Sequence, residues 1–407
     1  MFMETVVIIG GGLAGHRAAT TIAGLRPEQR TILIHSESGT PYDRPPLSKN
    51  FLLGGKRPTL KGSELYADRV VLRDRTKATQ IDPLRRIVHT DIGEPEHYDK
   101  LLIATGSRPR QFENSNVDPA QVHYLRTESD AIRLRAALAP GRRLAVVGGG
   151  FIGLEVSGMA RRLGCQTTVI ELAPRLLSRS ASLSLSEWVA SRHASEGGEF
   201  RLNCANLRML NNSKGEVVLT WNGGSLVADM VLIGIGIGPN AEIAAEAGID
   251  TADGIVVNAR CETSVPGIYA AGEVTNYPLP GLGRRLRSES WTVAGDQAVV
   301  AAQAICGLDV QYQDLPWFWS DQCGVTIQSL GVPALATRLY RIGDVASESW
   351  LEIGTDDQGR FVSAVGVNPG RDMTQLRRDA RAGKPISQDI MSRSEEVDPT
   401  YMCLAIG

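Results

Sequence analysis

Two stretches of the sequence share one pattern of apolar, glycine and helix-forming positions. Each begins with a short, β-branched apolar run, at residues 6–9 in the first stretch and 144–147 in the second. A glycine-rich turn follows, then a segment that reads as a helix, then another apolar run at 31–34 or 166–170. Short continuous apolar runs of this kind are typical of buried parallel strands. The pattern predicts the order strand, glycine turn, helix and strand twice, and hence an α/β fold.

Both turns have the spacing G-x-G-x-x-G. The first glycine permits a tight turn, the second lets the backbone approach a pyrophosphate, and the third lets helix and strand pack closely. A single such turn is weak evidence, but two copies in the right context are strong evidence for two Rossmann-like nucleotide sites. The predicted contacts are Gly10, Gly12, Leu13, Ala14 and Gly15 in the first turn, and Gly148, Gly150, Phe151, Ile152 and Gly153 in the second.

Two nucleotide sites in one chain favour a flavin dinucleotide, FAD, together with a nicotinamide nucleotide. Three more strands run into turns of small residues, at 98–106, 230–240 and 269–274. Small residues at strand ends bring the backbone close to a cofactor. These turns add the candidates Ala104, Thr105, Gly106, Gly236, Gly272 and Glu273.

Composition and charge narrow the function further. The chain has 407 residues, with 43 Lys and Arg against 45 Asp and Glu, giving a net charge of −2. That balance disfavours nucleic-acid binding, which needs a basic excess or a basic face. No apolar run approaches the roughly 18 residues of a membrane span, and the N-terminus lacks the features of a signal peptide. We expect a cytoplasmic protein that acts without nucleic acid or membrane.

The cysteines are scattered singly. None of Cys165, Cys204, Cys261, Cys306, Cys323 and Cys403 forms a C-x-x-C pair with another. The spacing argues against a disulfide scaffold, a structural zinc site and an internal iron–sulfur cluster, and it suits a reducing compartment. We expect no bound metal.

Four further motifs carry a family resemblance. They are PYDRPPLSK at 41–49, ESW at 289–291, PWFWSDQ at 316–322 and GVN at 366–368. With the two glycine turns they resemble the FAD-dependent NADH:ferredoxin reductases of bacterial oxygenase systems. That family includes putidaredoxin reductase, rubredoxin reductase and the reductases of aromatic-ring dioxygenases. The resemblance extends from residue 6 to about residue 384.

The resemblance implies a domain layout. The FAD domain would comprise residues 1–111 and 238–313, with the NADH domain inserted at 112–237. A C-terminal α+β domain would occupy 314–407. Proteins of this kind are monomers or homodimers.

The resemblance also implies roles at the flavin, which would be bound without a covalent link. Arg44, Lys49, Ala78, Arg126 and Trp291 would contact FAD. Two positions depart from the family. By sequence register, Ser36 stands where an acid normally binds the ribose, so either Ser36 or the next residue, Glu37, would take that role. Glu273 replaces the aspartate that usually binds the ribityl chain.

Glu155 follows the second glycine turn, early in a helix that should be apolar there. A buried lone carboxylate is costly and demands a partner. The resemblance implies an ion pair with Lys49 at the site of hydride transfer. The alternative is an acid stabilised by the helix dipole. Glu171, 23 residues past Gly148, predicts NADH as coenzyme because an acid there binds ribose hydroxyls and repels a 2′-phosphate.

The family's reaction is NADH oxidation coupled to one-electron reduction of a small iron–sulfur protein. We expect a [2Fe-2S] ferredoxin, or a rubredoxin-like protein, that serves a ring-hydroxylating dioxygenase or a cytochrome monooxygenase. Alternatives are an NADH oxidase, a quinone or radical reductase of the same fold, and a flavoprotein with a binding role like apoptosis-inducing factor. For ferredoxin we expect docking at Arg284, Arg285 and Arg287, and electron exit at Trp317 or Trp319.

Overall fold

The computed structural model describes residues 4–113 and 115–398, so Cys403 lies outside the described residues. Within them the α-helices are α1 (Leu13–Leu25), α2 (Glu128–Ala137), α3 (Phe151–Arg162), α4 (Leu183–Ser195), α5 (Glu242–Glu246), α6 (Trp291–Ile305), α7 (Gly370–Arg381) and α8 (Gln388–Ser392). Short 3₁₀ helices lie at Pro45–Ser48, Ser63–Tyr66, Pro119–Gln121 and Pro333–Leu335.

The strands before α3 are β1 (Thr5–Ile9), β2 (Arg30–Ile34), β3 (Val70–Arg73), β4 (Ala78–Asp82), β5 (Ile87–Thr90), β6 (Glu96–His97), β7 (Lys100–Ile103), β8 (Ser107–Pro109), β9 (Ser115–Asn116), β10 (Val122–His123) and β11 (Arg143–Val147). Those between α3 and α6 are β12 (Gln166–Ile170), β13 (Glu199–Arg201), β14 (Arg208–Asn211), β15 (Val217–Trp221), β16 (Gly224–Ala228), β17 (Met230–Ile233), β18 (Ile237–Pro239), β19 (Thr251–Ala252), β20 (Gly254–Val256), β21 (Ile268–Ala270), β22 (Thr275–Pro278) and β23 (Arg285–Arg287). The last are β24 (Trp317–Gln322), β25 (Val325–Gly331), β26 (Arg338–Ile342), β27 (Trp350–Thr355), β28 (Phe361–Val367) and β29 (Glu395–Val397).

The chain divides into two compact units. Unit 1 contains residues 4–43, 57–108 and 238–317, and unit 2 contains 44–56, the described part of 109–237, and 318–398. The loop 44–56 and the C-terminal residues are both grouped with unit 2. The three-domain layout expected from the sequence stays a prediction.

Unit 1 is built on a parallel sheet in the order β21-β7-β1-β2-β3. Ile9 pairs with Ile34 on one side and Ile103 on the other, and Ile103 pairs with Ala270. Four strands therefore end along one edge. Helix α1 packs on α6 through small residues, which permit a close approach: Ala18, Ala19, Ala298, Ala301 and Ala302. Two smaller sheets complete the unit, β4-β5-β6 and β19-β20-β22-β23.

Unit 2 contains the second parallel sheet, in the order β10-β17-β11-β12-β13. An antiparallel sheet, β16-β15-β14, packs its apolar face into the same core, where Met209 and Leu219 meet Val231 and Ile170. The C-terminal part forms the sheet β24-β25-β28-β27-β26-β29, against which α7 packs. The predicted fold class, two Rossmann-like sheets followed by an α+β region, is confirmed.

Candidate dinucleotide sites and the Lys49–Glu155 pair

The first glycine turn leaves the start of α1 open to an anion. Gly10 has a φ of +116°, and a Cβ there would collide with the carbonyl oxygen of Ala104, so no larger residue fits. Gly12 is the N-cap of α1 and makes no side-chain hydrogen bond, and a Cβ on it would meet nothing within 4 Å. The first backbone N–H groups of α1 thus face open space, which suits a pyrophosphate.

The second turn repeats this geometry in unit 2. Gly148 has a φ of +108°, and its N–H donates to Ile170 O at 2.8 Å, as that of Gly10 does to Ile34 O. Gly150 caps α3 without a side-chain hydrogen bond and has open space around it. The residues present fit a dinucleotide at both turns.

The matched hydrogen bonds also align the residues that follow the second strand of each unit. Glu171 comes directly after Ile170, and its carboxylate accepts from the N–H of Gly149 at 2.6 Å and from that of Ala173 at 2.8 Å. The equivalent residue after Ile34 is His35, whose ring lies against Gly11. Ser36, predicted from the sequence register to stand at the ribose position, comes one residue after His35, and its contact with the ribose stays a prediction.

Ser36 and Glu37, the two residues proposed for the flavin ribose, lie in the loop after β2. Ser36 is exposed. The carboxylate of Glu37 is half-buried and accepts a hydrogen bond of 2.5 Å from the hydroxyl of Tyr42. Glu37 is therefore held in place by a residue of the PYDRPPLSK motif itself.

Small residues follow three neighbouring strands at the edge of the unit 1 sheet. Gly10 follows β1, Ala104 follows β7, and Gly272 comes shortly after β21. Ligands bind at the carboxyl ends of parallel strands in such sheets. The turn at Gly272 lies close to the start of α1, since a Cβ on Gly272 would lie 3.0 Å from the Cβ of Ala14.

The polar members of this edge are fixed by hydrogen bonds. Thr105 donates to Asn240 O at 2.7 Å, and Glu273 accepts from the hydroxyl of Ser107 at 2.6 Å. The longer side chain of Glu273 thus already has a protein partner. Ala78 lies in a different sheet, at the start of β4.

Lys49 and Glu155 form a close ion pair in unit 2. The Lys49 Nζ–Glu155 Oε1 distance is 2.7 Å, with side chains 16% and 2% exposed. Lys49 follows the 3₁₀ helix Pro45–Ser48, where two prolines fix the backbone, and Glu155 faces it from the second turn of α3. This contact decides against an acid held by the helix dipole alone.

Two serines complete the coordination of the Glu155 carboxylate. Ser320 Oγ donates to Oε1 at 2.5 Å, and Ser48 Oγ donates to Oε2. Ser320 in turn accepts from Gln322 Nε2 at 2.8 Å. The sequence interpretation gave Ser320 and Gln322 no role. The available signal was two polar residues spaced by two on β24, on a face that is buried.

The arginines of the predicted flavin site meet in one contact. Arg44 Nη1 donates to the backbone oxygen of Arg126 at 2.6 Å.

The three tryptophans singled out in the sequence lie at α6 and β24. Trp291 is the first residue of α6, as expected, and its indole donates to Asp43 at 2.7 Å in unit 1. The backbone oxygen of Trp317 accepts from the hydroxyls of two residues at the start of α6, whereas Trp319 lies farther along β24, half-buried.

The three arginines expected to dock a partner differ in their surroundings. Arg284 is exposed. Arg285 is exposed as well, but its guanidinium donates to the backbone oxygens of Val257 and Asn276 at 2.5 Å each.

The side chain of Arg287 is only 9% exposed and pairs with Asp253 and Glu289. Burial works against the charge of Arg287, but Glu289 and Asp253 more than offset it, so the pKa of Arg287 is raised. Arg287 is therefore a largely buried cation paired with two acids, and its predicted role in docking stays a prediction.

Two glycine turns, each at the edge of a parallel sheet, define a two-dinucleotide oxidoreductase. Residues 4–298 match the pyridine nucleotide-disulphide oxidoreductase family, and residues 317–397 match the reductase C-terminal family. The chain is 40% identical to the ferredoxin–NAD(+) reductase component of the anthranilate 1,2-dioxygenase system of Burkholderia cepacia, over 94% of this chain and 95% of that protein.

Two solved structures have the same fold. The ferredoxin reductase for the CYP199A2 system of Rhodopseudomonas palustris has a TM-score of 0.89 and 32% identity, over 95% of this chain and 96% of that one. Putidaredoxin reductase, in its covalent complex with putidaredoxin, has a TM-score of 0.89 and 29% identity, over 95% of both chains.

The chain belongs to the pyridine nucleotide-disulphide oxidoreductase family and carries its reductase C-terminal domain. It is an oxidoreductase that uses a flavin and NAD(H). The resemblance inferred from the sequence motifs is confirmed. Among the described residues, no helix combines the length and apolar character that crossing a membrane requires.

Proposed function

We propose that this protein is the FAD-dependent reductase of an oxygenase system, which oxidises NADH and passes single electrons to a [2Fe-2S] ferredoxin. The observation that carries the proposal is the buried Lys49–Glu155 pair, set beside the glycine turn expected to bind NADH. Its relative from Burkholderia cepacia is a ferredoxin–NAD(+) reductase component, which supports the choice of acceptor.

The residues of the second turn favour NADH as the coenzyme. Glu171 is held by two backbone N–H groups directly after β12, where a ribose would present its hydroxyls. Arg175, which could have attracted a 2′-phosphate, instead donates to the backbone oxygens of Ala181 and Ser182. A negative charge therefore stands at this position, and Arg175 is turned to other partners, whereas Arg179, the second arginine on this loop, lies against Gly236.

Lys49 and Glu155 would act on the bound nucleotides as a charged pair held in one geometry. A flavin held at this site would supply the chemistry that links a two-electron hydride donor to one-electron acceptors. The lysine supplies a fixed positive charge, and the glutamate holds it in place with its own charge satisfied by two hydroxyls. Such fixed charges tune a flavin and orient a nicotinamide.

The cysteines support direct transfer from flavin to an external acceptor. None of the cysteines among the described residues forms a disulfide, and four of them are buried. Burial raises the pKa of Cys165, Cys204, Cys261 and Cys306, which keeps each thiol protonated and weakly nucleophilic. A dithiol step between flavin and acceptor is therefore disfavoured.

Anaerobic titration of the bound flavin with NADH, followed by parallel assays with ferredoxin, a quinone and oxygen, tests this function. We expect one NADH to reduce one flavin fully, and ferredoxin to be reduced much faster than the other acceptors. Faster turnover with quinone or oxygen would assign the protein to the oxidase or quinone-reductase alternative. A flavin that NADH does not reduce would favour a binding role.

A further inference from the structure

A chain of buried polar side chains runs from Glu155 into unit 2, away from the lysine. It contains Ser320 and Gln322 on β24, His193 near the end of α4, and Arg161 in the last turn of α3. The exposed fraction is 3% at Glu155, 1% at Ser320 and Gln322, and zero at His193. Polar side chains this far from water require partners, and each of these four has one here, whereas Arg161 is half-buried.

The partners fix the direction of every hydrogen bond. Arginine can only donate, so Arg161 Nη2, 2.9 Å from His193 Nδ1, makes that nitrogen an acceptor. The proton of His193 then lies on Nε2, which donates to Gln322 Oε1 at 2.8 Å. Burial lowers the pKa of His193 to about 4, in keeping with a neutral ring.

The hydrogen bonds from Gln322 through Ser320 to the Glu155 carboxylate also have a fixed direction. With its oxygen facing His193, Gln322 directs Nε2 to Ser320 Oγ at 2.8 Å and to the backbone oxygen of Phe151 at 3.1 Å. Ser320 must then use its own hydrogen toward Glu155, which as a carboxylate only accepts. Each donor along the chain therefore points from the Arg161 cation toward the Glu155 anion.

We propose that Gln322 and His193 are positioning residues for Glu155: together with Ser320 they form a directional hydrogen-bond chain that orients its carboxylate toward Lys49. The inference rests on the proposed role of the Lys49–Glu155 pair in NADH oxidation. Without the donor at position 193, only the backbone oxygen of Phe151 still favours this orientation of the Gln322 amide, which can then turn its oxygen toward the Ser320 hydrogen. Glu155 loses a donor although no residue in contact with it has changed.

Substitutions at position 193 separate this role from simple packing. The amide of glutamine carries an acceptor and a donor about as far apart as the two imidazole nitrogens, so His193→Gln can make both hydrogen bonds, and His193→Leu can make neither. We expect His193→Leu to slow flavin reduction at saturating NADH by about three- to tenfold, the usual effect of losing a hydrogen bond between two neutral groups. His193→Gln should stay within about twofold of the wild-type rate constant, and the KM for NADH should change little in either variant.

A double-variant comparison tests whether His193 acts through Glu155. In a Glu155→Gln background, His193→Leu should have no further effect on the rate constant. An equal slowing in both backgrounds would overturn the inference and leave the role of Glu155 intact. A wild-type rate in Glu155→Gln itself would contradict the proposed role of the pair, and this inference with it.

Matched serine variants provide a second test if the leucine variant fails to fold. Ser320→Ala removes a donor from Glu155, and Ser182→Ala removes one from Glu352, another buried glutamate in unit 2. We expect only Ser320→Ala to slow flavin reduction. Equal rates of flavin reduction in the two serine variants would contradict the proposed hydrogen-bond chain.

The tautomer of His193 is measurable without turnover. Two-bond proton–nitrogen correlation spectra of the holoprotein labelled with ¹⁵N-histidine distinguish the ring states, and His193→Gln identifies the signal of His193. We expect a neutral ring with its proton on Nε2 at pH 7. A proton on Nδ1, or a doubly protonated ring, would overturn the proposed direction.

Discussion

The ammonium nitrogen of Lys49 lies 2.7 Å from Oε1 of Glu155, whose side chain is only 2% exposed. Removing one partner from a fully buried pair costs roughly 3–5 kcal/mol, and somewhat less here because Lys49 keeps some solvent contact. We expect Lys49→Met and Glu155→Gln each to slow flavin reduction by about tenfold or more, measured by anaerobic rapid mixing with NADH.

The two effects should not multiply in the double variant, because one interaction is removed in either case. Arg341→Met serves as a control, since Arg341 pairs with the buried Glu352 in the C-terminal sheet at 2.8 Å. That variant should reduce its flavin at the wild-type rate. Fully multiplicative effects of the Lys49 and Glu155 substitutions would show that the two residues act separately.

Coenzyme preference should depend on the charge of Glu171. The N–H groups of Gly149 and Ala173 donate to different oxygens of the Glu171 carboxylate, so Glu171→Gln keeps an acceptor for one of them while it removes the repulsion of a 2′-phosphate. We expect the ratio of kcat/KM for NADH over NADPH to fall by about tenfold, and Glu171→Ala to lower it as well. Equal use of the two coenzymes by the unmutated protein would refute the assignment.

Ferredoxin docking is best tested at Arg284. The sequence favoured Arg285 for this test. In the structure Arg285 donates hydrogen bonds to two backbone oxygens, so its replacement would also disturb β22 and β23. Arg284→Glu should raise the KM for ferredoxin and flatten its salt dependence, because screening acts on the steered encounter. Reduction of the flavin by NADH should not change.

Arg208, an exposed arginine on β14, provides a control with the same change of charge. Arg208→Glu should leave the kinetics with ferredoxin as they are. If both variants behave alike at low salt, the ferredoxin binds on another face.

Acid should destabilise the protein through His193. The folded pKa is lowered to about 4 from 6.5, so below pH 6.5 the unfolded chain binds more protons than the folded one. The contribution of His193 to the free energy of unfolding is therefore fully present above about pH 6.5. It is lost as the pH falls toward 4, which lowers the free energy of unfolding by up to about 3 kcal/mol. Urea midpoints of wild type and His193→Gln should diverge in this window.

His16 and His123 are also buried with a lowered pKa, so the wild type should lose stability in acid even without His193. The difference between the two proteins isolates the contribution of His193. Parallel midpoints between pH 7 and pH 4.5 would show that the imidazole of His193 is not held neutral.

Local sequence patterns predicted the two nucleotide sites, because the glycine turn, the strand before it and the helix after it are adjacent in the chain. The register after the strand was less certain. Gly148 and Glu171 are 23 positions apart, but the equivalent Gly10 and His35 are 25 apart, because the helix of the first unit and the connection after it are each one residue longer. Counting could not resolve this difference, whereas the hydrogen bonds to Ile34 and Ile170 do.

Contacts between distant segments were predictable only through the resemblance, or not at all. Lys49 and Glu155 are 106 positions apart, and no periodicity relates them. The β24 residues next to Glu155 leave only the spacing of two polar residues as a local signal, and the partner of Gln322 on α4 leaves none. Likewise, the charge of Arg287 gave no sign that Asp253 and Glu289 would neutralise it.

The electron count between NADH and ferredoxin tests the central claim most directly. The holoprotein is mixed anaerobically with limiting NADH and an excess of oxidised [2Fe-2S] ferredoxin, and the reduced cluster is measured by its absorbance. The account predicts two ferredoxins reduced for each NADH consumed, with a markedly lower rate in Lys49→Met and the same final yield. Oxidation of NADH that leaves the ferredoxin oxidised, or an unchanged rate in Lys49→Met, would contradict the account.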